Sequence, residues 1–259
     1  MRGVSGPEAI APGPAGPAAA TPRTSPDQAL DIERENARLE KATPEERLAF
    51  AVEAFGDRLL FTSSFGAGSG ILLHMWSRVA PHLPVVMVDT GFLFDETHAY
   101  KDLLARSFGL KVEIARPEMK RDDFLWEHGA DIMSRDSDFC CAKNKIDPLK
   151  PWIARSLGWV SGLRRDQSRT REHVAILQPT EDGPIKVHPL ATMTGDEVRA
   201  YVEKHGIPEH PLKAKRYLSI GCWPCTQPVE EGQDERAGRW AGQGKTECGL
   251  HTFLKPKES

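Results

Sequence analysis

The stretch Pro84-Val-Val-Met-Val-Asp89 decides the fold class, because an unbroken apolar run lies there between a proline and an acidic residue. A short run that is apolar on both faces is typical of a strand buried inside a parallel sheet. Residues 58–63 form a second run of this kind, and residues 70–79 between the two runs read as a helix. Strand, helix and strand in this order predict a parallel βαβ unit.

The same alternation extends in both directions along the chain. Upstream, Thr43-Pro44-Glu45-Glu46 combines a helix N-cap, a proline at the first helical position and a capping-box glutamate, which predicts a helix that stops at Gly56. Downstream, we predict helices at 96–108 and 148–157 and strands at 111–115 and 159–161. The sequence therefore predicts an α/β fold, with a parallel-type twisted sheet and helices on both faces.

Composition divides the chain into three segments. Residues 1–26 are rich in Pro, Ala and Gly and contain few large apolar side chains, so we expect them to be disordered. Residues 27–206 carry the alternating strands and helices, and the last helix opens with a capping box at Thr194 and Glu197. Residues 207–259 show little periodicity. We expect them to form an irregular C-terminal segment that is fastened to the α/β domain by something other than a core of its own.

Charge and hydropathy argue against several classes of protein. The 259 residues carry a formal net charge of −3, whereas a general nucleic-acid binder is basic. The chain contains no apolar run of about 18 residues, the length that a membrane-spanning helix needs. At the N-terminus, Pro and Gly interrupt the alanines where a secretory signal needs a continuous apolar stretch. We expect a cytoplasmic protein without a nucleic-acid or membrane partner.

The five cysteines are grouped in a way that predicts a metal site and a separate thiol. Cys140 and Cys141 are adjacent, Cys222 and Cys225 form a CxxC, and Cys248 stands alone. An odd number of cysteines in a cytosolic chain argues against a disulfide framework. Adjacent cysteines ligate one site only in a turned backbone, which suits the separated corners of an iron–sulfur cubane. A zinc site with four cysteine ligands and a set of inert buried thiols stay open as alternatives.

The single cysteine lies in the run Glu247-Cys248-Gly249-Leu250-His251, close to the C-terminus. A nearby His251 would lower the pKa of the thiol, whereas Glu247 would raise it. A thiol on a flexible tail suits a nucleophile that visits the active site and then turns to a partner protein. The alternative is an incidental surface thiol.

Groups that suit an anionic ligand follow the predicted strands. The loop Ser63-Ser-Phe-Gly-Ala-Gly-Ser69 joins a strand to a helix, where backbone N–H groups and the helix dipole favour an anion. Residues 164–171 contain four arginines after a later strand. A guanidinium group can bind two oxygens of a phosphate or sulfate at once. Clustered arginines are nevertheless more often a run of solvated surface charges. Because ligands of parallel sheets bind at the carboxyl ends of strands, we predict a binding site for an anion there.

Taken together, these segments resemble the phosphosulfate reductase family of assimilatory sulfate reduction. The resemblance covers about residues 45–253. The matching runs are Ser63–Ala67, Val88–Thr97, Cys140-Cys141 with Lys145 and Pro148-Leu149, Gly162–Ser168, His188–Leu190, Cys222-x-x-Cys225 and Glu247–His251.

The resemblance implies an adenine nucleotide alpha-hydrolase (PP-loop/HUP) fold and a catalytic Cys248. Because all four further cysteines are present, it implies the branch that holds a [4Fe–4S] cluster, here on Cys140, Cys141, Cys222 and Cys225, and that reduces adenosine 5'-phosphosulfate (APS) to sulfite and AMP. It implies thioredoxin or glutaredoxin as the reductant and allows a homo-oligomer. The implied substrate-binding residues are Ser63, Ser64, Phe65, Gly66, Asp89, Thr90, Gly91, Lys145, Arg164, Arg165, Arg171, Arg236, Arg239 and His251.

Some positions depart from the family pattern, and three alternative functions stay open. Asn144 and Gln227 stand where relatives often have arginine, which removes two cations. The 3'-phosphorylated nucleotide PAPS is the first alternative, either alone or beside APS. An ATP pyrophosphatase of related fold is the second, although residues 64–69 lack the aspartate of that signature. A zinc-stapled nucleotide-binding module is the third.

Overall fold

The computed structural model describes residues 30–242, 245, 247 and 249–257, with only the backbone described for residues 251 and 252. The segment 1–26 that the sequence predicts to be disordered lies outside these residues, and so does Cys248.

A six-stranded sheet with the order β3-β2-β1-β4-β6-β5 forms the centre of the molecule. The strands are β1 (Leu59–Thr62), β2 (Val85–Val88), β3 (Val112–Ala115), β4 (Gly158–Val160), β5 (Leu177–Gln178) and β6 (Ile185–Val187). All neighbouring pairs are parallel except β5 and β6, which form an antiparallel hairpin at one edge. The α/β class and the parallel sheet are confirmed, and the edge hairpin is a finding that the sequence pattern does not contain.

The helices connect the strands and cover the sheet. They are α1 (Ile32–Leu39), α2 (Pro44–Phe55), α3 (Ser69–Val79), α4 (Asp95–Phe108), α5 (Arg121–His128), α6 (Ile132–Arg135), α7 (Ser137–Cys141), α8 (Lys150–Ala154), α9 (Gly195–His205) and α10 (Gly249–Thr252). Both predicted capping boxes are present, at Thr43 with Glu46 and at Thr194 with Glu197. Gly109, in the left-handed conformation, ends α4 directly after Phe108, the last residue of the helix predicted at 96–108. Since these signals act within one turn, the sequence alone locates them.

The helix predicted at 148–157 is shorter than expected. A 3₁₀ turn occupies Asp147–Leu149, and α8 then covers only Lys150–Ala154. Pro148 and Pro151 lie at the starts of these two pieces. The first N–H groups of a helix have no acceptor within it, so a proline there removes no helical hydrogen bond.

The two faces of the sheet have different coverings. Phe61 and Val160 belong to the larger core, which contains Leu73 and Trp76 of α3. Leu60 precedes Phe61 in the same strand, so its side chain lies on the opposite face of the sheet. It belongs to a smaller core with residues of β2, β4 and α8. Leu250, Phe253 and Leu254 from the C-terminal segment pack against this smaller core. The end of the chain therefore covers part of one sheet face.

Backbone pairing also ties the C-terminal segment to the α/β domain. Isolated β-bridges join Leu93 to Cys222 and Thr180 to Pro256. From β6, the Lys186 ammonium donates a 3.0 Å hydrogen bond to the Leu254 carbonyl oxygen. In the described part of the chain, no helix has the length and apolar character needed to cross a membrane.

Candidate active site

A cleft of about 280 Å³ opens where the carboxyl ends of β1, β2 and β4 meet. This edge is the place where parallel sheets bind their ligands. Many of the predicted substrate residues line the cleft: Ser63, Ser64, Gly66, Thr90, Lys145, Arg164, Arg171, Arg236 and Arg239. The topology thus brings together groups that lie far apart in the sequence.

The loop after β1 presents its backbone to the cleft. Phe65 has a positive φ of 48°, and its side chain is fully buried in the larger core. The Ser63 hydroxyl accepts a 3.1 Å hydrogen bond from the Phe65 N–H. Helix α3 begins directly after Gly68, which has no side chain to cap the first turn. Phe65 itself does not line the cleft, so its contribution is to hold the loop in place.

The loop has to be narrow at Gly66. A Cβ added there would lie 2.9 Å from the carbonyl oxygen of Ile220, which belongs to the C-terminal segment. Only a glycine lets the two backbones approach this closely. The loop after β1 and the segment around Ile220 therefore form adjoining walls of the cleft.

Among the three predicted residues after β2, Thr90 alone faces the cleft. The Asp89 carboxylate accepts a 3.2 Å hydrogen bond from the Gly91 N–H and pairs with Arg116 at 3.3 Å. Gly91 has a positive φ of 77°, which allows the chain to turn here. Asp89 and Gly91 thus shape the turn, and Thr90 is the residue that the turn presents.

Four cysteines line a second, smaller cavity of about 20 Å³ next to the cleft, namely Cys140, Cys141, Cys222 and Cys225. The first two end α7, and the chain then continues as a π-helical turn over Ala142–Ile146. The two adjacent cysteines thus lie in regular helical backbone and not in the turned backbone expected from the sequence, and the π-helical turn, a feature frequent at functional sites, follows them directly. Cys222 directly precedes the 3₁₀ turn Trp223–Cys225, and Cys225 is the last residue of that turn.

Polar groups approach three of the sulfur atoms. The Thr90 hydroxyl lies 3.2 Å from Cys222 Sγ. The Asn144 amide donates to Cys140 Sγ at 3.6 Å, and the Lys245 ammonium donates to Cys141 Sγ at 3.6 Å. Asn144 is thus a neutral donor to sulfur.

Burial makes these thiols reluctant to ionise on their own. It raises the pKa of Cys140 to about 12 and the pKa of Cys225 to about 11, and the neighbouring cysteines add to the effect. Thiols of this kind become thiolates when a metal supplies the compensating positive charge. The sulfur-only donor set therefore suits a thiophilic metal or an iron–sulfur cluster.

Two kinds of metal site use four thiolates. A zinc ion needs four sulfur atoms about 2.3 Å from one point. A cubane places its four ligands on separate corners. The four cysteines around one cavity supply the donor set of either site.

The cleft and the cysteine cavity share part of their walls. Thr90, Lys145, Cys222 and Arg239 line both cavities. Arg239 also stacks on the Trp240 ring, with 4.3 Å between the guanidinium carbon and the ring centroid, and donates to the Cys225 carbonyl oxygen at 3.3 Å. A group bound to the four cysteines would thus lie beside any anion bound in the cleft.

Arg164 and Arg165, in the loop after β4, both have carboxylate partners. The Arg164 guanidinium pairs with Asp166 at 2.8 Å. Arg165 pairs with Glu40 of the connection after α1, donates to the Val174 carbonyl oxygen at 2.9 Å and does not line the cleft. The pair with Glu40 raises the pKa of Arg165 and lowers the pKa of Glu40. Arg165 therefore fastens the arginine loop to the end of α1 in this structure.

Glu247 contacts two arginines of the cleft, although the sequence did not predict it as a site residue. Its carboxylate accepts hydrogen bonds from Arg171 at 2.7 and 3.0 Å and from Arg236 at 3.4 Å. The two arginines lie 76 and 11 residues away, so no local pattern could reveal the contact. The adjoining Cys248 and the side chain of His251 lie outside the described residues.

Comparison with known proteins agrees with this geometry. Residues 58–228 match the model of the phosphoadenosine phosphosulfate reductase domain. The adenosine 5'-phosphosulfate reductase of Streptomyces coelicolor is 40% identical over 230 residues, which cover 88% of this chain and 97% of that protein. The phosphoadenosine 5'-phosphosulfate reductase of Gloeobacter violaceus is 43% identical over 216 residues, or 82% of this chain and 90% of that protein.

Solved structures show the same architecture at lower sequence identity. The PAPS reductase of Candida auris, in a phosphate complex, superposes with a TM-score of 0.66 at 24% identity, over 78% of this chain and 99% of that one. The FMN adenylyltransferase of Candida glabrata with ATP gives 0.52 at 16% identity, over 85% and 79%. These matches confirm the predicted α/β fold of the PP-loop/HUP type. From the domain match and the long alignments to the two bacterial reductases, the chain belongs to the phosphoadenosine phosphosulfate reductase family.

Proposed function

We propose that this protein reduces adenosine 5'-phosphosulfate to sulfite and AMP in sulfate assimilation. The observation that carries the proposal is the shared wall between a cation-lined cleft at the strand ends and a cavity lined by four cysteines. Relatives from several bacteria that bear the name adenosine 5'-phosphosulfate reductase support APS as the substrate. The Gloeobacter relative bears the name of the PAPS enzyme, so reduction of PAPS is the second candidate.

The nucleotide occupies the cleft in this proposal. The loop from Ser63 to Gly66 and the hydroxyl of Thr90 surround the adenosine part. Lys145, Arg236 and Arg239 face the phosphosulfate, whose oxygens they neutralise, and Arg164 stands at the same wall. This neutralisation lets a thiolate approach the sulfur atom and stabilises AMP as the leaving group.

The cofactor in this proposal is a [4Fe–4S] cluster held by Cys140, Cys141, Cys222 and Cys225. When bound, it supplies structure and local charge beside the substrate, and the reaction needs no change in its oxidation state. Thr90, Asn144 and Lys245 donate toward the sulfur atoms that would hold it. Lys145 and Arg239 line both cavities. A cluster on the cysteines would therefore fix the positions from which these two cations contact the phosphosulfate.

The first chemical step uses Cys248 as the nucleophile. Its thiolate attacks the sulfur atom of the sulfo group, the bond from sulfur to the phosphate oxygen breaks, and AMP leaves with the electron pair. The product on the enzyme is S-sulfocysteine. His251 would help position or activate the thiol.

The second step regenerates the enzyme with electrons from thioredoxin or glutaredoxin. A thiolate of the reductant attacks Cys248 Sγ and releases sulfite, which leaves a mixed disulfide between the two proteins. The second thiol of the reductant resolves this disulfide, so the reductant leaves oxidised and Cys248 is a thiol again. Such a reductant implies a cytoplasmic location, and the proposal is compatible with a homo-oligomer.

Steady-state kinetics with APS and PAPS, together with iron and acid-labile sulfide analysis on anaerobically purified protein, test this proposal. We expect the higher kcat/KM with APS, and about four iron atoms and four acid-labile sulfides per chain. A clearly higher kcat/KM with PAPS would overturn the substrate assignment. A colourless protein that contains zinc instead of iron would overturn the cofactor assignment.

A further inference from the structure

The contact between Arg171 and Glu247 differs from an ordinary surface ion pair. The Arg171 Nε and Nη2 atoms lie 3.0 and 2.7 Å from the two carboxylate oxygens, which is a two-pronged guanidinium–carboxylate geometry. The side chains are only 7% and 15% exposed, respectively. A paired and shielded contact of this kind is stronger and more specific than an exposed pair.

The remaining donor groups around this carboxylate strengthen the contact. Arg171 Nη1 donates to the Gln167 Oε1 atom at 2.5 Å, so three nitrogens of the guanidinium already have acceptors. Arg236 adds a further donor to Glu247 at 3.4 Å, and the Thr170 hydroxyl another at 3.4 Å. The planar donor face that would grip an oxyanion is therefore committed to a residue of the protein itself.

The position of the pair relative to the cleft is equally informative. Arg171 and Gln167 line the cleft, whereas Glu247 does not. The carboxylate thus approaches Arg171 from the side of the C-terminal segment. The arginine connects the loop after β4 with the residue that directly precedes Cys248 in the chain.

Neighbouring tail residues are fastened to the same wall by independent contacts. Lys245 pairs with Asp138 of α7 at 2.6 Å. Gly249 is so close to α7 and the π-helical turn that an added Cβ would lie 3.3 Å from Ile146 Cδ1. Leu250 lines the cleft. On one side of Glu247 in the sequence, Lys245 thus contacts the cysteine cavity, and on the other side Leu250 contacts the cleft.

We propose that Arg171 and Glu247 form a positioning pair, which holds the tail at Glu247 against the loop after β4, and that Arg171 acts through the tail rather than by binding the phosphosulfate. The expected effect of the pair on S-sulfonation rests on the function proposed above. The pair has a second benefit for a nucleophile at position 248. A free carboxylate beside a thiol disfavours the thiolate, and two guanidinium groups cancel that charge.

Separate measurements of chemistry and of binding test this role. In Glu247→Gln, we expect the single-turnover rate of S-sulfonation to fall about tenfold or more, the factor that corresponds to one charge-assisted pair. APS affinity, measured by calorimetry with Cys248→Ser as the background to prevent reaction, should stay within about twofold, because no substrate contact is lost. Glu231→Gln, an exposed change in the same segment, is the matched control and should leave both values unchanged.

Arg171→Met and the double variant Arg171→Met/Glu247→Gln complete the test as a double-mutant cycle. If the two residues act as a pair, the rate loss in the double variant will be clearly smaller than the two single losses combined, and the APS affinity of Arg171→Met will stay near wild type. A tenfold loss of APS affinity in Arg171→Met, on the order of one lost charge-assisted contact, with normal affinity in Glu247→Gln would overturn the proposal. An unchanged S-sulfonation rate in Glu247→Gln would overturn it as well.

Limited trypsin digestion separates this inference from the proposed function. Loss of the pair should accelerate cleavage after Lys245 in both single variants, whatever reaction the enzyme catalyses. If wild-type protein forms no adduct with APS but the variants lose protection, the proposed function fails and the pair stands. If digestion and chemistry are both unchanged in the variants, the pair has no positioning role.

Discussion

The sheet and the C-terminal segment are held in place by different kinds of interaction. Strand β2 has four apolar residues that are all buried, and Leu73 and Trp76 of the larger core are almost completely shielded from solvent. The segment after residue 207 contributes a thinner apolar layer, in which Leu250, Phe253 and Leu254 pack against the smaller core. Polar contacts hold it as well, such as the pair of Lys245 with Asp138 and the hydrogen bond of Lys186 to the Leu254 carbonyl oxygen. Apolar burial dominates in the sheet, whereas the tail combines a thin apolar layer with a few directed polar contacts.

This contrast teaches that the two regions should respond separately to substitution. Changes in the sheet should affect the stability of the whole molecule, because its core is shared by most elements. Changes at the cysteines or in the tail should affect the site and its chemistry while the sheet remains folded.

The largest effect should come from Cys248, the proposed nucleophile. In Cys248→Ser, we expect sulfite formation from APS to fall to background, because a neutral hydroxyl cannot replace the thiolate. The iron content and the thermal midpoint should stay those of the wild type, since Cys248 belongs to neither the predicted cluster site nor the core. Sulfite release at a rate near wild type would remove this residue from the mechanism.

The proposed cluster ligands should have the next largest effect, and they test the comparison at the tail instead of the sheet. In Cys222→Ser, we expect most of the iron to be lost, together with the protection of residues 207–257 against trypsin, while the far-ultraviolet circular dichroism of the sheet persists. Iron and sulfide analysis and time-resolved digestion measure the two effects. Cys248→Ser is the matched control, and equal iron in both variants would contradict the ligand assignment.

A core substitution should show the opposite pattern. Leu73 is 0% exposed in the larger core, so Leu73→Ala should lower the free energy of unfolding by about 2–5 kcal/mol. Urea unfolding followed by circular dichroism measures this change. The folded protein should still carry its normal iron content, and a selective loss of iron without a change in stability would show that the two regions are not separable.

The smallest effect should be a pH dependence from Lys186, which joins the regions. Burial lowers the pKa of Lys186 to about 8 from 10.5. Between these two values the unfolded chain holds the proton and the folded protein does not, so this group makes the free energy of unfolding rise with pH from about 8 to 10.5. Lys186→Met should have a flatter profile in that window than wild type, and the exposed change Lys204→Met should not. Parallel profiles for all three proteins would contradict the assignment.

Local signals made much of the fold predictable. The capping boxes at Thr43 and Thr194 and the glycine after α4 are formed by residues within one turn, so the sequence shows them directly. The edge hairpin of β5 and β6 escaped prediction, because strands of two and three residues are too short to show an alternating pattern. Pro148 and Pro151 similarly divided a helix that the composition predicted as one.

The site was predictable to the extent that its residue types are unusual. Four cysteines in two pairs predict a common cavity, and the structure brings them to one. The arginines were harder, because a charge pattern does not reveal the partner of each guanidinium. Arg165 pairs with Glu40, 125 residues away, and Arg171 with Glu247. Contacts across such separations are decided by the fold and not by local sequence.

Mass spectrometry of the wild-type protein after mixing with APS, in the absence of any reductant, tests the central claim most directly. The account predicts one SO₃ adduct per chain, located on the peptide that contains Cys248, together with one equivalent of AMP. Subsequent addition of reduced thioredoxin should remove the adduct and release sulfite. Nucleotide turnover without an adduct on that peptide would contradict the account.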